Sequence, residues 1–175
     1  RESIRHATDA VALMKREPAT DELCSRGFPA NEAPFYCRQS ADRDQMIAVV
    51  GDSHAHALYP GIAEQAALRG YGAILLANTG CPPLDGTALG RNDAEKSACA
   101  ASIERILDAV QRDQRTVAVV LATRGPQYIA GTGFGPVEAH YNYPPLAAWG
   151  PSGAHGTDPA QVFEKGLEVT LHRLR

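Results

Sequence analysis

Apolar and polar residues alternate along this chain in blocks that predict strands and helices in turn. Three apolar runs predict strands, at residues 45–50, 71–77 and 117–122, and the first is typical of a parallel strand buried on both faces. Apolar residues at helical spacing predict three helices, over residues 55–68, 93–112 and from Pro159 to the last residue. This alternation predicts an α/β fold of three layers, in which helices cover both faces of a parallel sheet.

Two segments interrupt the alternation. Residues 1–44 hold a possible short helix at Thr8–Arg16 and then a polar stretch without clear periodicity. We interpret them as a cysteine-containing connector, so that the main domain occupies residues 45–175. Residues 124–158 are rich in glycine and proline and predict a long loop of the kind that forms functional lids or mobile segments.

The long loop carries several aromatic residues. Rings beside a site at the end of a strand would suit stacking on sugars, whereas the simpler interpretation, which we favour, is a lid that packs on its own rings. The residues concerned are Tyr128, Phe134, His140, Tyr141, Tyr143 and Trp149.

Composition and charge narrow the classes of function. The 175 residues are 44% hydrophobic and 21% charged, which is typical of one globular domain. A net charge of −3 gives no electrostatic footprint for nucleic acid. The apolar runs are far shorter than the roughly 20 residues of a membrane span. Because the chain begins at Arg1 and not at methionine, we expect it to be an excised or processed piece of a longer protein.

Four cysteines indicate the compartment. Cys24 and Cys37 bracket one turn-rich loop, and Cys81 and Cys99 bracket another. Neither spacing is that of a zinc knuckle or a redox motif, so an even count suggests two local disulfides and an oxidising, extracytoplasmic location. The alternatives are the other two of the three possible pairings, or four reduced cysteines in a cytosolic protein.

The candidate for chemistry is a serine at a predicted strand-to-helix junction. The first apolar run breaks at Gly51, expected to give the turn its backbone freedom, and Asp52, Ser53 and His54 follow. A nucleophilic serine must be exposed, and the amides and positive dipole at a helix N-terminus would stabilise an oxyanion beside it. The alternative is that Asp52 and Ser53 are only helix-capping residues.

These residues carry a family resemblance. Residues 49–55 resemble the first block of SGNH-type (GDSL-like) esterases and acyltransferases, and their GDSHA form is similar to SGNH domains fused to membrane acyltransferases that O-acetylate bacterial surface polysaccharides. Residues 77–84, which include Gly80 and a Cys-Pro-Pro, resemble the second block of the family. Residues 116–125 resemble the third strand and its loop.

The resemblance implies a set of site residues. Ser53 would be the catalytic nucleophile, the N–H groups of Ser53 and Gly80 would form the oxyanion hole, and Asp52 and His54 would support them. The family pattern Gly-x-Asn-Asp is absent after the third strand, where Arg124 either offers donors to an oxyanion or substrate carboxylate or is a surface arginine. That pattern occurs at residues 90–93, where it is more simply the cap of the second helix.

The base of the family is a late Asp-x-x-His block, which this sequence lacks. We therefore expect the SGNH-like domain to be truncated at its C-terminal end, with the general base downstream of Arg175. The histidines within the chain are expected to have other roles: His6, His54, His56, His140, His155 and His172.

The function implied by the resemblance is serine-dependent acyl transfer. The expected reaction is O-acetyl transfer to, or ester hydrolysis on, a bacterial envelope polysaccharide such as O-antigen, with no cofactor or metal besides the acyl donor. Acetyl derived from acetyl-CoA would arrive through a fused or associated membrane acyltransferase domain, and the protein would be periplasmic and tethered to the inner membrane.

Two other classes of function remain as alternatives. One is a non-catalytic glycan-binding module on a degenerate SGNH scaffold, favoured by the loose third block and the missing Asp-x-x-His. The other is a cytosolic phosphate-binding domain that uses the start of the helix at Gly51, Asp52 and Ser53. This sequence has no lysine-containing phosphate loop, which argues against that class.

Overall fold

The computed structural model describes residues 18–29, 32–133, 135–138, 142–151 and 156–175. The possible helix Thr8–Arg16 lies outside these residues. The strands are β1 Tyr36–Gln39, β2 Met46–Gly51, β3 Gly72–Ala77, β4 Thr87–Ala88, β5 Thr116–Ala122 and β6 Ala147–Ala148. The helices are α1 Glu22–Ser25, α2 Ser53–Ala67, α3 Asp93–Arg112, α4 Gly125–Ala130, α5 Gly135–Glu138 and α6 Pro159–Arg173.

The central sheet has the strand order β1-β3-β2-β5. Strands β3, β2 and β5 are parallel, as the three apolar runs predicted. Strand β1 pairs antiparallel with β3 at one edge, with Tyr36 opposite Ala77 and Cys37 opposite Leu76. The segment interpreted as a connector thus contributes a strand to the sheet, which its polar sequence did not predict.

Alternate residues of the buried strands face two helical layers. Val49 and Leu75 pack with Tyr59 of α2 on one face of the sheet. Val50 and Leu76 lie in a second cluster on the other face, together with side chains of α3. Because neighbouring residues of a strand point to opposite faces, a run that is apolar throughout can fill both clusters. The predicted three-layer α/β/α arrangement is confirmed.

Polar side chains fix where the helices begin. Asp52 accepts a hydrogen bond from the N–H of His54 and caps α2, which therefore begins two residues before the predicted start at Ala55. Asn92 caps α3 through the N–H of Glu95, and Asp158 caps α6 through the N–H of Ala160. These bonds satisfy amides that have no partner within the first turn of a helix.

The prediction of a long loop over residues 124–158 is wrong in its described parts. These contain α4, α5 and β6, and Tyr128 and Leu146 are each only 2% exposed. Both belong to a third apolar cluster with Leu107 and Val162. The error has a physical cause: α4 is too short to show helical periodicity, although Pro126 and Gly131 stand at its first turn and its C-terminal cap, where these residues favour helix ends.

Both disulfides are local. Cys24 is bonded to Cys37 and Cys81 to Cys99, with Cα atoms 5.5 Å and 5.7 Å apart. The first holds α1 against β1, and the second holds the segment after β3 against α3. The prediction of two local disulfides is confirmed, and the other two pairings are excluded. No helix of the described residues has both the length and the apolar character needed to cross a membrane.

Gly51 is required at the end of β2 by close packing, not by the backbone freedom expected from the sequence. It does not have a positive φ. A Cβ at this position would lie 1.8 Å from the carbonyl oxygen of Ala122 and 2.7 Å from the Cβ of Ala55. The glycine therefore lets β2, β5 and the first turn of α2 meet.

We expect Gly51→Ala to lower the free energy of unfolding by roughly 3 kcal/mol, because the backbone of β5 must move to admit the methyl group. Gly61→Ala is the matched control, since a Cβ there meets nothing within 4 Å. This exposed glycine lies inside α2, where alanine stabilises by about 0.5–1 kcal/mol. Urea unfolding of both variants measures the difference, and equal stability of the two would contradict the packing argument.

Candidate active site

Ser53 lies at the edge of the sheet where the parallel strands end. It follows β2 directly, with Asp52 as the N-cap and Ser53 as the first residue of α2. The seryl residue is exposed, whereas Gly51, Asp52 and Ala55 around it are buried. A hydroxyl that is exposed on a rigid, buried turn at a helix N-terminus has the geometry that a nucleophilic serine needs.

The carboxylate of Asp52 lies beneath this turn and is only 1% exposed. Its Oδ1 accepts a hydrogen bond from the N–H of His54 at 2.7 Å, and the ring Nδ1 of His54 lies 3.1 Å away. Its Oδ2 accepts from Tyr128 Oη at 2.7 Å, from the N–H of Arg124 at 2.8 Å and from Thr123 Oγ1 at 3.0 Å. One side chain thus joins the starts of α2 and α4.

These donors decide the charge of the buried carboxyl. Burial by itself acts to raise the pKa of Asp52, but the hydrogen bonds from Arg124, Tyr128, His54 and Thr123 outweigh it and lower the pKa. Burial and the negative charge of Asp52 both raise the pKa of Tyr128, so this phenol stays protonated and remains a donor. At neutral pH the site therefore holds a buried negative charge next to Ser53.

His54 is oriented by the same carboxylate. Because an ionised carboxylate can only accept, the Nδ1 of His54 carries the proton of their contact. In the neutral form of the ring, Nε2 would be the acceptor, and the side chain is 49% exposed. A fixed tautomer on a half-exposed ring is the arrangement that lets a histidine accept a hydrogen bond or a proton.

Arg124 contributes its backbone and its side chain to different partners. Its N–H donates to Asp52, whereas its guanidinium pairs with the carboxylate of Glu138 in α5. The guanidinium is 20% exposed. The ion pair is half-buried, so a fully solvated surface arginine does not describe Arg124.

Gly80 lies in the turn that follows β3. Its φ of +65° is in the left-handed region, and a Cβ there would meet nothing within 4 Å. The backbone conformation, not a close approach, therefore requires the glycine. The N–H of Asn78 donates to the carbonyl of Gly51 at 3.1 Å, which ties this turn to the strand that carries Ser53.

Other predicted residues lie elsewhere. Asn92 caps α3, which is the simpler interpretation of the Gly-x-Asn-Asp sequence at residues 90–93. His56 stacks on Tyr36, and His172 lies in the last turn of α6. His6, His140 and His155 lie outside the described residues.

Sequence reasoning missed Thr123 and Tyr128 as partners of Asp52. The position of Thr123 follows from topology, since Gly51 pairs with Ala122 in the register of β2 and β5. Parallel neighbours bring their carboxyl ends together, so residues after Ala122 must lie beside Asp52. Tyr128 had no such signal, because α4 itself was not predicted.

Comparison with known proteins identifies the family. The family model of the SGNH domain that is fused to AT3 domains matches residues 21–175. The chain belongs to this family, and the family resemblance of the Ser53 segment is confirmed.

A solved structure to which the chain is similar is the periplasmic domain of a lipopolysaccharide acetyltransferase from Salmonella ser. Paratyphi A. The two are 18% identical with a TM-score of 0.45, over 76% of this chain and 40% of that one. The chain thus spans less than half the length of the protein it matches. None of the curated proteins matches this chain.

We expect Tyr128→Phe to lower the free energy of unfolding by about 1.5–3 kcal/mol at pH 7, because it removes a hydrogen bond to a buried charge. The lowered pKa of Asp52 means that its stabilisation is present above the unfolded pKa, about 3.9, and is lost as pH falls through the folded pKa. The deficit of the variant should therefore shrink below about pH 4.

Tyr59→Phe is the matched control, since the Tyr59 hydroxyl donates to the neutral carbonyl of Ala73 at 3.2 Å. This variant should lose about 1 kcal/mol of its free energy of unfolding, and the loss should be the same at pH 7 and at pH 3.5. Urea unfolding at pH 7 and pH 3.5 measures both variants. A deficit of Tyr128→Phe that does not change with pH would show that the hydroxyl does not act on the Asp52 charge.

Proposed function

We propose that this domain forms an acetyl ester on Ser53. The acetyl group then passes to a hydroxyl of a bacterial envelope polysaccharide such as O-antigen, or to water. The observation that carries the proposal is the exposed Ser53 at the first position of α2, above the buried Asp52 carboxylate. Membership in a family of SGNH domains fused to AT3 domains supports it.

The chemistry has two halves. In the first, Ser53 Oγ forms a bond to the carbonyl carbon of the donor, its proton goes to a histidine base, and the negative charge moves to the carbonyl oxygen. The backbone N–H groups of Ser53 and Gly80 stabilise this oxyanion. Collapse then breaks the bond to the leaving group, which takes up the proton.

In the second half, the acceptor hydroxyl or water attacks the acyl carbon of Ser53. The base takes the acceptor's proton, the Oγ–carbon bond breaks, and Ser53 regains its proton. Transfer and hydrolysis therefore require the same residues and differ only in which hydroxyl reaches the acyl group.

The roles of the neighbours follow from their contacts. Asp52 fixes the turn and the tautomer of His54, and we assign both a supporting role. The base is proposed to be a histidine of an Asp-x-x-His pair outside residues 1–175. Since Glu138 already pairs with the guanidinium of Arg124, we assign Arg124 to positioning through its N–H and keep the oxyanion donors on the backbone.

The donor and the location complete the proposal. Acetyl derived from acetyl-CoA would reach Ser53 through an AT3 domain that acts as the membrane acyltransferase, and the SGNH domain would work in the periplasm beside the inner membrane. The two disulfides support this location, because such bonds persist in oxidising compartments.

We expect the full-length protein to release p-nitrophenol from p-nitrophenyl acetate and to carry one acetyl group on the peptide that contains Ser53, detected by mass spectrometry after acid quenching. Ser53→Ala should lower the rate by about 10³-fold or more, towards the background, because no other group replaces the nucleophile. Ser97→Ala is the matched control, since Ser97 is an exposed serine on α3, and its rate should equal that of the wild type.

Full activity of Ser53→Ala, or acetyl on a different residue, would overturn the assignment of the nucleophile. Binding of the polysaccharide without hydrolysis or acetylation in any preparation would favour the non-catalytic glycan-binding module.

A further inference from the structure

Three rings in contact lie at the same edge of the sheet as Ser53. The ring of His56 is 4.4 Å from that of Tyr36 and nearly parallel to it, with an interplanar angle of 14°. The ring of Phe35 meets Tyr36 edge-on, with centroids 4.8 Å apart. We call these three residues the aromatic platform.

The platform is close to the serine because of strand register. Tyr36 lies opposite Ala77, which in turn lies opposite Gly51. Two strand spacings therefore separate Tyr36 from Gly51, about 10 Å. His56 closes this gap on the α2 face, since residues three apart on a helix are neighbours and His56 follows Ser53 by three.

The platform is rigid at its base and open at its end. The N–H of Phe35 donates to Asn78 Oδ1 at 2.7 Å, and Thr79 Oγ1 donates to the Tyr36 hydroxyl at 3.3 Å. Tyr36 also packs against the apolar cluster beneath α2. Phe35 is nevertheless 59% exposed.

The chemistry of this surface fits a sugar ring. A pyranose has an apolar C–H face and a rim of hydroxyls, so it needs an exposed aromatic face with neutral hydrogen-bonding groups beside it. Phe35 offers the face, the exposed Thr79 and the half-buried Asn78 offer neutral polar groups, and the platform contains no Asp, Glu, Lys or Arg. Rings that are already fixed lose little conformational entropy on binding.

We propose that the aromatic platform is the acceptor subsite, in which Phe35 stacks on a sugar unit of the polysaccharide chain next to the unit presented to Ser53. This inference rests on the proposed function, since it names where that acceptor binds. Phe35 holds the chain while the reacting hydroxyl lies over the serine, and it takes no part in bond making.

The test measures binding directly. The probe is envelope polysaccharide from the strain that carries the gene, de-O-acetylated with mild alkali and titrated into full-length protein in detergent by isothermal calorimetry. Phe35→Ala should weaken binding and raise the dissociation constant by about 3- to 10-fold, the range of a single ring contact. Phe35→Tyr keeps the ring and should bind within about twofold of the wild type.

Leu58→Ala is the control for loss of exposed apolar surface. Leu58 is 54% exposed, but it lies beside Ile62 and Val120, towards β5 and away from β1. Its affinity should equal that of the wild type. Three results would overturn the acceptor subsite. They are an affinity of Phe35→Ala equal to that of the wild type, an equal loss of affinity in Phe35→Ala and Leu58→Ala, or no binding of the polysaccharide by the wild type.

Failure of the platform and failure of the proposed function are distinguishable. Acetylated Ser53 together with binding that does not depend on Phe35 would reject the platform alone. Binding that depends on Phe35 without acetylation of Ser53 would support the platform and reject the acyl-enzyme. If Phe35→Ala instead changes the oligomeric state in size-exclusion chromatography with no change in polysaccharide affinity, the ring belongs to a protein contact and the subsite is wrong.

Discussion

The buried carboxylate of Asp52 is the interaction on which the arrangement around Ser53 depends. An ionised carboxylate placed in a protein interior loses several kcal/mol of hydration free energy, and only hydrogen-bond donors and nearby positive dipoles offset that loss. Here the donors come from α2, from the end of β5 and from Tyr128 of α4. Separating any of these segments would leave a buried charge without its partners, so the charge holds them together.

The same constraint helps to hold the turn that carries Ser53 in one conformation. Gly51 allows the backbone of Ala122 to approach so closely that a methyl group cannot lie between them. The same close approach lets the N–H of Asp52 donate a hydrogen bond to the carbonyl of Ala122 at 3.3 Å. With backbone contact on one side and the carboxylate network beneath, the turn is held in place while Ser53 stays exposed. Such preorganisation is what the proposed oxyanion hole would require.

The parts that could be predicted from the sequence are those whose signal is local. Strands β2 and β3 are apolar throughout because both faces are buried, whereas the equally apolar β5 is a half-exposed edge strand of the described sheet. Asn92 and Asp158 cap their helices by bonds within three residues. The polar sequence of β1, Tyr-Cys-Arg-Gln, has no such signal, because its pairing depends on β3 and on the disulfide from Cys24. The contact of Tyr128 with Asp52 was not predicted for a related reason. Asp52 is distant in sequence, and the helix that carries Tyr128 is only a turn and a half long.

The strand that local patterns did not predict has the largest effect on the surface around the site. An antiparallel strand begins where its parallel neighbours end, so β1 starts at the carboxyl edge of the sheet, beside the residues that follow β2 and β3. A parallel strand in its place would have put its last residues there, and Phe35 and Tyr36 would lie at the far end from Ser53. The direction of one short edge strand therefore decides which side chains surround the serine. The Cys24–Cys37 bond, by holding that strand to α1, acts on the surroundings of the serine although it lies outside the site.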